Sequence, residues 1–237
     1  MPFLFTHRYL LAWALLLVLA AHRQALADSP PPPVPLSEND AKELELSFVT
    51  SYTEAESGFI IAGKNASEVI RDLKGLNQRP IAELERVMRP GASSESGFLG
   101  EAESLLEVLV ADNDTVTQKL KLSHAQLAKP LLVIGYYAAQ HASTKPIAVS
   151  YGKEVFQVHS SLSRGFQDSP FNDGTKTNAT ILITNLRTGQ KLNYSLLVPH
   201  MIERYGFYEG KGTPYRVDPL KIAQLLGLTP EESKPAR

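Results

Sequence analysis

Apolar residues recur at helical spacing through the first half of the chain. From Ser37 onward they return every three or four residues, which places them on one face of a helix; they are Ala41, Leu44, Phe48, Tyr52, Ala55 and Phe59. Three further amphipathic stretches follow, at 65–75, 80–90 and 98–109, separated by Gly, Pro and Ser. The pattern therefore predicts a mainly helical segment over residues 37–110.

The pattern becomes mixed after residue 111. Val116, Leu120 and Leu122 alternate loosely with polar residues, which predicts a strand. Ser123 is placed to cap a helix that carries Leu127, Leu131, Ile134 and Tyr137 on one face, with Pro130 expected to kink it or to begin its second part.

Turn residues between short alternating runs indicate two β-hairpins. The first joins 147–149 to 155–162 through Tyr151 and Gly152, and the second joins 180–185 to 190–198 around Arg187, Thr188 and Gly189. In the first hairpin His159 and Ser160 point to opposite faces of the strand.

The end of the chain predicts two helices and a strand. Pro199 begins a short helix that Gly206 ends, residues 215–217 form a last strand, and Asp218 with Pro219 begins a terminal helix that stops at Gly227. The sequence thus predicts an α+β fold: N-terminal amphipathic helices packed on an antiparallel sheet of hairpins, with a C-terminal helix.

The first 27 residues have the pattern of a secretory signal peptide. Arg8 lies before an apolar run at 9–21, which is too short for a membrane span of about 20 residues. The small residues Ala25 and Ala27 then form a cleavage site, so the mature chain is expected to begin at Asp28. An uncleaved anchor is the alternative, and we find no second apolar run of spanning length.

Composition divides the mature chain further. Residues 28–36 hold 5 of the 16 prolines, which predicts an extended spacer or a disordered remnant of the leader. We expect residues 37–228 to form a single domain, in which 111–228 mixes helices with hairpins. Residues 229–237 are expected to form a polar tail.

Charge and cysteine content narrow the function classes. The 237 residues contain 24 Lys and Arg against 25 Asp and Glu, and no Cys, which excludes disulfides, thiolate metal sites and a cysteine nucleophile. Residues 37–110 carry a net charge of −7 and 111–237 one of +5, too dilute for nucleic-acid binding. An exported chain without cysteine fits a periplasmic or secreted bacterial protein.

Motifs of catalysis and ligation are absent from the sequence. The mature chain has no paired His at metal-ligand spacing, no G-x-S-x-G turn, and only a superficial likeness to a phosphate loop at 206–213. His159 and Ser161 share a strand face, which we interpret as a solvated one. Asp168, Asp173 and Glu209 are expected in loops. We therefore predict no cofactor and no metal site, and the sequence assigns no catalytic residue.

The segment 164–216 is the most plausible working surface, because aromatic residues alternate there with Arg, Glu and Gly. The candidate binding residues are His200, Glu203, Arg204, Tyr208, Tyr215 and Arg216. The alternative is that aromatics such as Phe166, Phe171, Tyr205 and Phe207 close the core beneath long loops.

The function that follows is an exported binding or interaction protein that uses the 164–216 loops to contact an unknown protein or small ligand. Two alternatives stay open: a hydrolase whose His, Ser and Asp residues converge only in the fold, and a structural component of the cell envelope that uses the Pro-rich spacer for reach.

Overall fold

The sheet order follows the chain order. In the computed structural model, which describes residues 34–35, 81–141 and 145–229, strands β2 to β5 pair as an antiparallel meander, and the two-residue β1 adds to β2 in parallel through Val34 and Val149. The strands are β1 (Val34–Pro35), β2 (Ile147–Tyr151), β3 (Glu154–Asp168), β4 (Lys176–Asn185) and β5 (Lys191–Ser195).

Five α-helices accompany the sheet in these residues: α1 (Ile81–Met88), α2 (Leu105–Asp114), α3 (His124–Gln140), α4 (Leu197–Tyr205) and α5 (Pro219–Leu225). The α+β class is confirmed, as are the two hairpins and the C-terminal helix. The predicted helices at 37–59 and 65–75, the leader and most of the spacer and tail lie outside the described residues.

The long helix α3 organises the core. Ser123 and Gln126 form a reciprocal capping box at its start, so the predicted cap is confirmed, and the helix runs through Pro130 to Gln140. It packs against α4 and the inner face of β3. At Gly135 the helix comes so close to the sheet that a Cβ would lie 2.7 Å from a methyl carbon of Leu196.

The strand predicted at 116–122 is wrong. Residues Thr115–Lys119 continue α2 as a π-helical turn, and the hydroxyl groups of Thr115 and Thr117 donate to the carbonyl oxygens of Ala111 and Asn113, four residues earlier. These bonds keep β-branched residues in a helical backbone, so their strand propensity does not decide the conformation.

Two other boundaries also differ from the prediction. The helix predicted at 98–109 begins only at Leu105, whose N–H donates to Glu85 Oε1 at 2.8 Å, while Phe98 and Leu99 are buried outside it. Residues 215–217 form no strand; Val217 instead makes a single backbone hydrogen bond to Tyr208.

Candidate functional site

The six residues predicted to bind a ligand do not form one surface. His200 and Tyr208 are buried, at 2% and 0% exposure, and both are hydrogen-bonded within the protein. Glu203, Arg204 and Tyr215 are partly exposed. Three of the six, His200, Tyr208 and Arg216, enter two separate clusters. We call these clusters the ribbon clasp (Asp173, His200 and Tyr205) and the loop network (Asp112, Tyr208, Glu209, Thr213 and Arg216).

In the ribbon clasp one carboxylate oxygen accepts two hydrogen bonds. Asp173 Oδ2 lies 2.7 Å from Nε2 of His200 and 2.8 Å from the hydroxyl of Tyr205, and both partners belong to α4. Burial by itself would raise the pKa of Asp173, but the hydrogen bonds from His200, the Thr175 N–H and Tyr205 hold the pKa below its usual value. The clasp therefore fixes the connection between β3 and β4 to α4.

Aromatic packing supports the clasp from below. Phe171, in the same connection, stacks on Tyr205 with a centroid distance of 3.9 Å and meets the edge of Phe207 at 5.6 Å. These three rings are at most 1% exposed, as the core-closing alternative predicted, whereas Phe166 is 63% exposed. Phe166 therefore does not close the core.

The loop network centres on Arg216. Its Nη1 and Nη2 donate to the two oxygens of Asp112 at 2.5 and 2.6 Å, and Nη1 also donates to the backbone carbonyl of Glu209 at 2.6 Å. Burial raises the pKa of Asp112, and the bonds from Arg216 offset part of the rise. Since these three hydrogen bonds are internal, the Arg216 side chain anchors the 206–217 loop to α2.

His124 joins Tyr208 to α2 on the other side of the loop. Nε2 of His124 lies 3.2 Å from Asn113 Oδ1, and Nδ1 lies 2.8 Å from the Tyr208 hydroxyl. Burial lowers the pKa of His124 to about 4, so the ring is neutral near pH 7. If Nε2–H donates a hydrogen bond to the amide oxygen of Asn113, then Nδ1 is unprotonated and accepts a hydrogen bond from the Tyr208 hydroxyl.

Glu103 holds the same loop at its exposed end. Its carboxylate accepts from the N–H of Gly100 at 2.7 Å and from the N–H of Lys211 at 2.8 Å. Gly210 lies directly against this carboxylate, and its own N–H donates to the carbonyl of Phe98. The glycine-rich stretch 206–213 is thus threaded along the core, with a backbone bound to neighbouring segments.

The exposed part of the 164–216 segment lies on β3 and β4. Beyond Val158 strand β3 has no partner in β2, and β4 pairs with β5 only from Thr180 onward. We call the two-stranded part at 161–168 and 176–179 the outer ribbon. Leu162 and Phe166 are 57% and 63% exposed there.

A bulge interrupts the outer ribbon. Leu162 pairs with Ala179 and Gln167 with Thr177, so five residue steps on β3 stand opposite two on β4. The bulge carries Phe166, and the Lys176 ammonium lies 5.5 Å from the centre of its ring. Bulges of this kind redirect side chains and block edge-to-edge strand pairing.

Within 81–141 and 145–229 no three His, Asp or Glu side chains gather closely enough to hold a metal ion, and no helix there has the length and apolarity to cross a membrane. His159 and Ser160 lie on opposite faces, as predicted, and in the part of the chain that is described His159 Nδ1 has no hydrogen-bond partner.

The predicted binding residues include His200 of the ribbon clasp and Tyr208 and Arg216 of the loop network, but neither of the acids Asp173 and Asp112. Asp112 lies 104 residues from Arg216, and Asp173 lies 27 residues from His200. Asp168, expected in a loop, is the last residue of β3. The available signal was local: Asp112 precedes Asn113 and Asp114, Asp173 lies between Asn172 and Gly174, and neither acid has a basic residue beside it.

Comparison of the chain with protein-family models, with curated proteins and with solved structures finds no match.

Proposed function

We propose that this chain is an exported, non-enzymatic interaction protein that contacts a protein partner through the outer ribbon. The observation that carries the proposal is the exposure of Phe166 at the bulge of a strand pair whose far end is fixed to the core. The 164–216 segment then has two roles: 199–217 holds the structure, and the outer ribbon makes the contact.

Rigid presentation of the aromatic side chain supports this division. The ribbon clasp ties the 169–175 connection to α4, which fixes the tip of the outer ribbon. The other end of the ribbon continues into the rest of the sheet, so the strand that carries Phe166 is held at both ends. A contact surface ordered before binding avoids the entropic cost of ordering it in the complex. His200, predicted to touch a ligand, is on this proposal a positioning residue.

The chemistry of the outer ribbon indicates the kind of partner. Exposed Leu162 and Phe166 favour an apolar pocket, and Phe and Arg are enriched at the centres of protein interfaces. Arg164, two residues before Phe166, is exposed, and the Lys176 ammonium lies over the ring of Phe166. A pocket with an acidic rim on another protein fits this combination.

Site-specific photocrosslinking tests the proposal. A photoreactive phenylalanine analogue at position 166 should form an adduct with one partner protein in the cells that produce the chain. The same analogue at Leu220, an apolar position on α5 that is 44% exposed, should not. Phe166→Ser should abolish recovery of that partner, while Leu220→Ser should retain it. Equal adducts at both positions, or none at 166, would overturn the proposal.

Export is tested separately. N-terminal sequencing of the protein recovered outside the cytoplasm should give Asp28 as the first residue. A chain recovered with Met1 intact would reject cleavage of the predicted leader and support the anchor alternative.

A second candidate, the hydrolase, rests on the His200–Asp173 pair, because an imidazole oriented by a carboxylate is part of many nucleophilic sites. Both side chains are at most 3% exposed, which separates them from a substrate in solution. Hydrolysis of activated esters by the wild type, lost in His200→Gln while the fold is kept, together with no crosslink at position 166, would establish this activity in place of the interaction role.

A further inference from the structure

Glu209 is a carboxyl group in an unusual place. It is 1% exposed, its backbone has a φ of 64°, and it lies within the 206–217 loop between buried Tyr208 and Gly210. A non-glycine residue in this backbone region is strained, so the surrounding contacts must hold it there.

The hydrogen-bond contacts of the Glu209 side chain determine its protonation state. The Thr213 hydroxyl oxygen lies 2.9 Å from Glu209 Oε2 and 2.9 Å from the carbonyl oxygen of Gly210. A threonine hydroxyl has one hydrogen and can donate it to only one of them. A carbonyl oxygen brings no hydrogen, so both contacts are hydrogen bonds only if Glu209 donates to Thr213 and Thr213 donates to Gly210.

The charges around Glu209 agree with this count. Arg216 faces it, but the three hydrogen bonds shown for Arg216 go to the Asp112 carboxylate and to the backbone carbonyl of Glu209, and none goes to the Glu209 carboxyl. Neutral Glu209 leaves the buried Asp112 and Arg216 balanced, whereas ionised Glu209 adds an unpaired negative charge. Buried unpaired charge is strongly unfavourable.

Among the residues that the structure describes, the other charged and titratable groups around the network provide no buried counterion for Glu209. Glu103 and Asp218 are acidic and lie near Arg216, Lys211 is exposed, and Tyr208 is hydrogen-bonded to the neutral ring of His124. Burial raises the pKa of Glu209 to about 8, with the Thr213 hydrogen bond and the Arg216 charge opposing the rise.

We propose that Glu209 is the proton-binding group of a pH-sensitive latch: the 206–217 loop stays docked in the core while the carboxyl is protonated, and it loosens when the proton leaves. This regulation is independent of the outer ribbon, because the latch acts on the loop that joins α4 to α5.

The latch has a defined sign. Folding raises the pKa of this acid, so the stabilisation is complete below the unfolded-state value of 4.5 and is lost as the pH rises to about 8. Across that interval the folded state binds one more proton at Glu209 than the unfolded state does. The Glu209 contribution therefore raises the unfolding equilibrium constant about tenfold for each unit of rising pH. Above pH 8 the dependence levels off.

Glu209→Gln is the matched test, since its amide N–H donates to Thr213 as the protonated acid does. Urea unfolding from pH 5 to 9 should show the unfolding constants of the wild type and of Glu101→Gln, an exposed control, rising relative to that of Glu209→Gln by about tenfold per pH unit up to pH 8. The comparison with Glu209→Gln removes the opposite contribution of His124, whose pKa is lowered by burial and which is present in all three proteins. Amide hydrogen exchange, corrected for its intrinsic pH dependence, should show the 206–217 loop opening above pH 8 in the wild type alone.

A direct measurement needs no variant. The carbon-13 shift of Glu209 Cδ should report a protonated carboxyl at pH 6.5 and its titration near pH 8. Titration of Glu209 below pH 6, or identical pH profiles for the wild type and Glu209→Gln, would overturn the latch.

Discussion

The guanidinium of Arg216 and the carboxylate of Asp112 form a two-point ion pair, with N–O distances of 2.5 and 2.6 Å between residues 104 positions apart. The pair joins the 206–217 loop to α2. Its side chains are only 14% and 6% exposed, so neither charge would be well hydrated without the other. Removal of one partner therefore has a larger effect than removal of both.

Arg216→Leu should lower the free energy of unfolding by about 3 kcal/mol, because it leaves Asp112 buried without its counterion. The double variant Asp112→Leu with Arg216→Leu should regain at least half of that loss. Urea unfolding at pH 7 measures both. A single substitution that costs no more than the double one would show that the pair is not coupled in this way.

Gly210→Ala should destabilise the protein by about 2 kcal/mol through overpacking. The new Cβ would overlap Glu103 Oε2 and lie 2.9 Å from the Gly100 nitrogen, so the carboxylate that holds the loop must move. Gly165→Ala is the matched control, since a Cβ there meets nothing within 4 Å. Thermal unfolding of the two variants should separate them; equal melting temperatures would contradict the close packing.

The ribbon clasp should contribute to acid sensitivity. The pKa of Asp173 is lowered in the fold from 3.8, so its carboxylate stabilises the protein above that pH and the contribution is lost as the pH falls below it. Between pH 4 and 2 the wild type should lose up to about 1.4 kcal/mol per pH unit more than Asp173→Asn. Asp168→Asn, at an exposed position on β3, should behave like the wild type. Equal losses of unfolding free energy between pH 4 and 2 in the wild type and in Asp173→Asn would argue against the clasp.

Substitution of Phe171 should destabilise the protein far more than substitution of Phe166. Phe171→Ala should cost about 3 kcal/mol because it empties a stack against Tyr205, whereas Phe166→Ala should cost less than about 0.5 kcal/mol. Denaturant unfolding compares them directly. A large loss in Phe166→Ala would place that side chain in the core rather than on a contact surface.

Local signals account for most of the elements that were predicted correctly. Ser123 with Gln126, Asp218 with Pro219, and Gly206 with φ 67° are start and stop signals that act within a few residues, and each functions as expected. The signal failed at 116–122, where side-chain bonds to the preceding turn kept Thr115 and Thr117 helical. It also failed at 215–217, where a backbone that could have paired as a strand instead packs along the loop network.

The sequence alone determined the α+β class, the hairpins and their turns, because alternation, capping and glycine placement are properties of neighbouring residues. It could not determine that Arg216 meets Asp112, that His200 meets Asp173, or that Phe166 is exposed while Phe171 is buried. Those outcomes depend on which distant segments come together and exclude water. Only the tertiary structure therefore decided that most of the predicted binding loop lies within the protein and that the outer ribbon faces solvent.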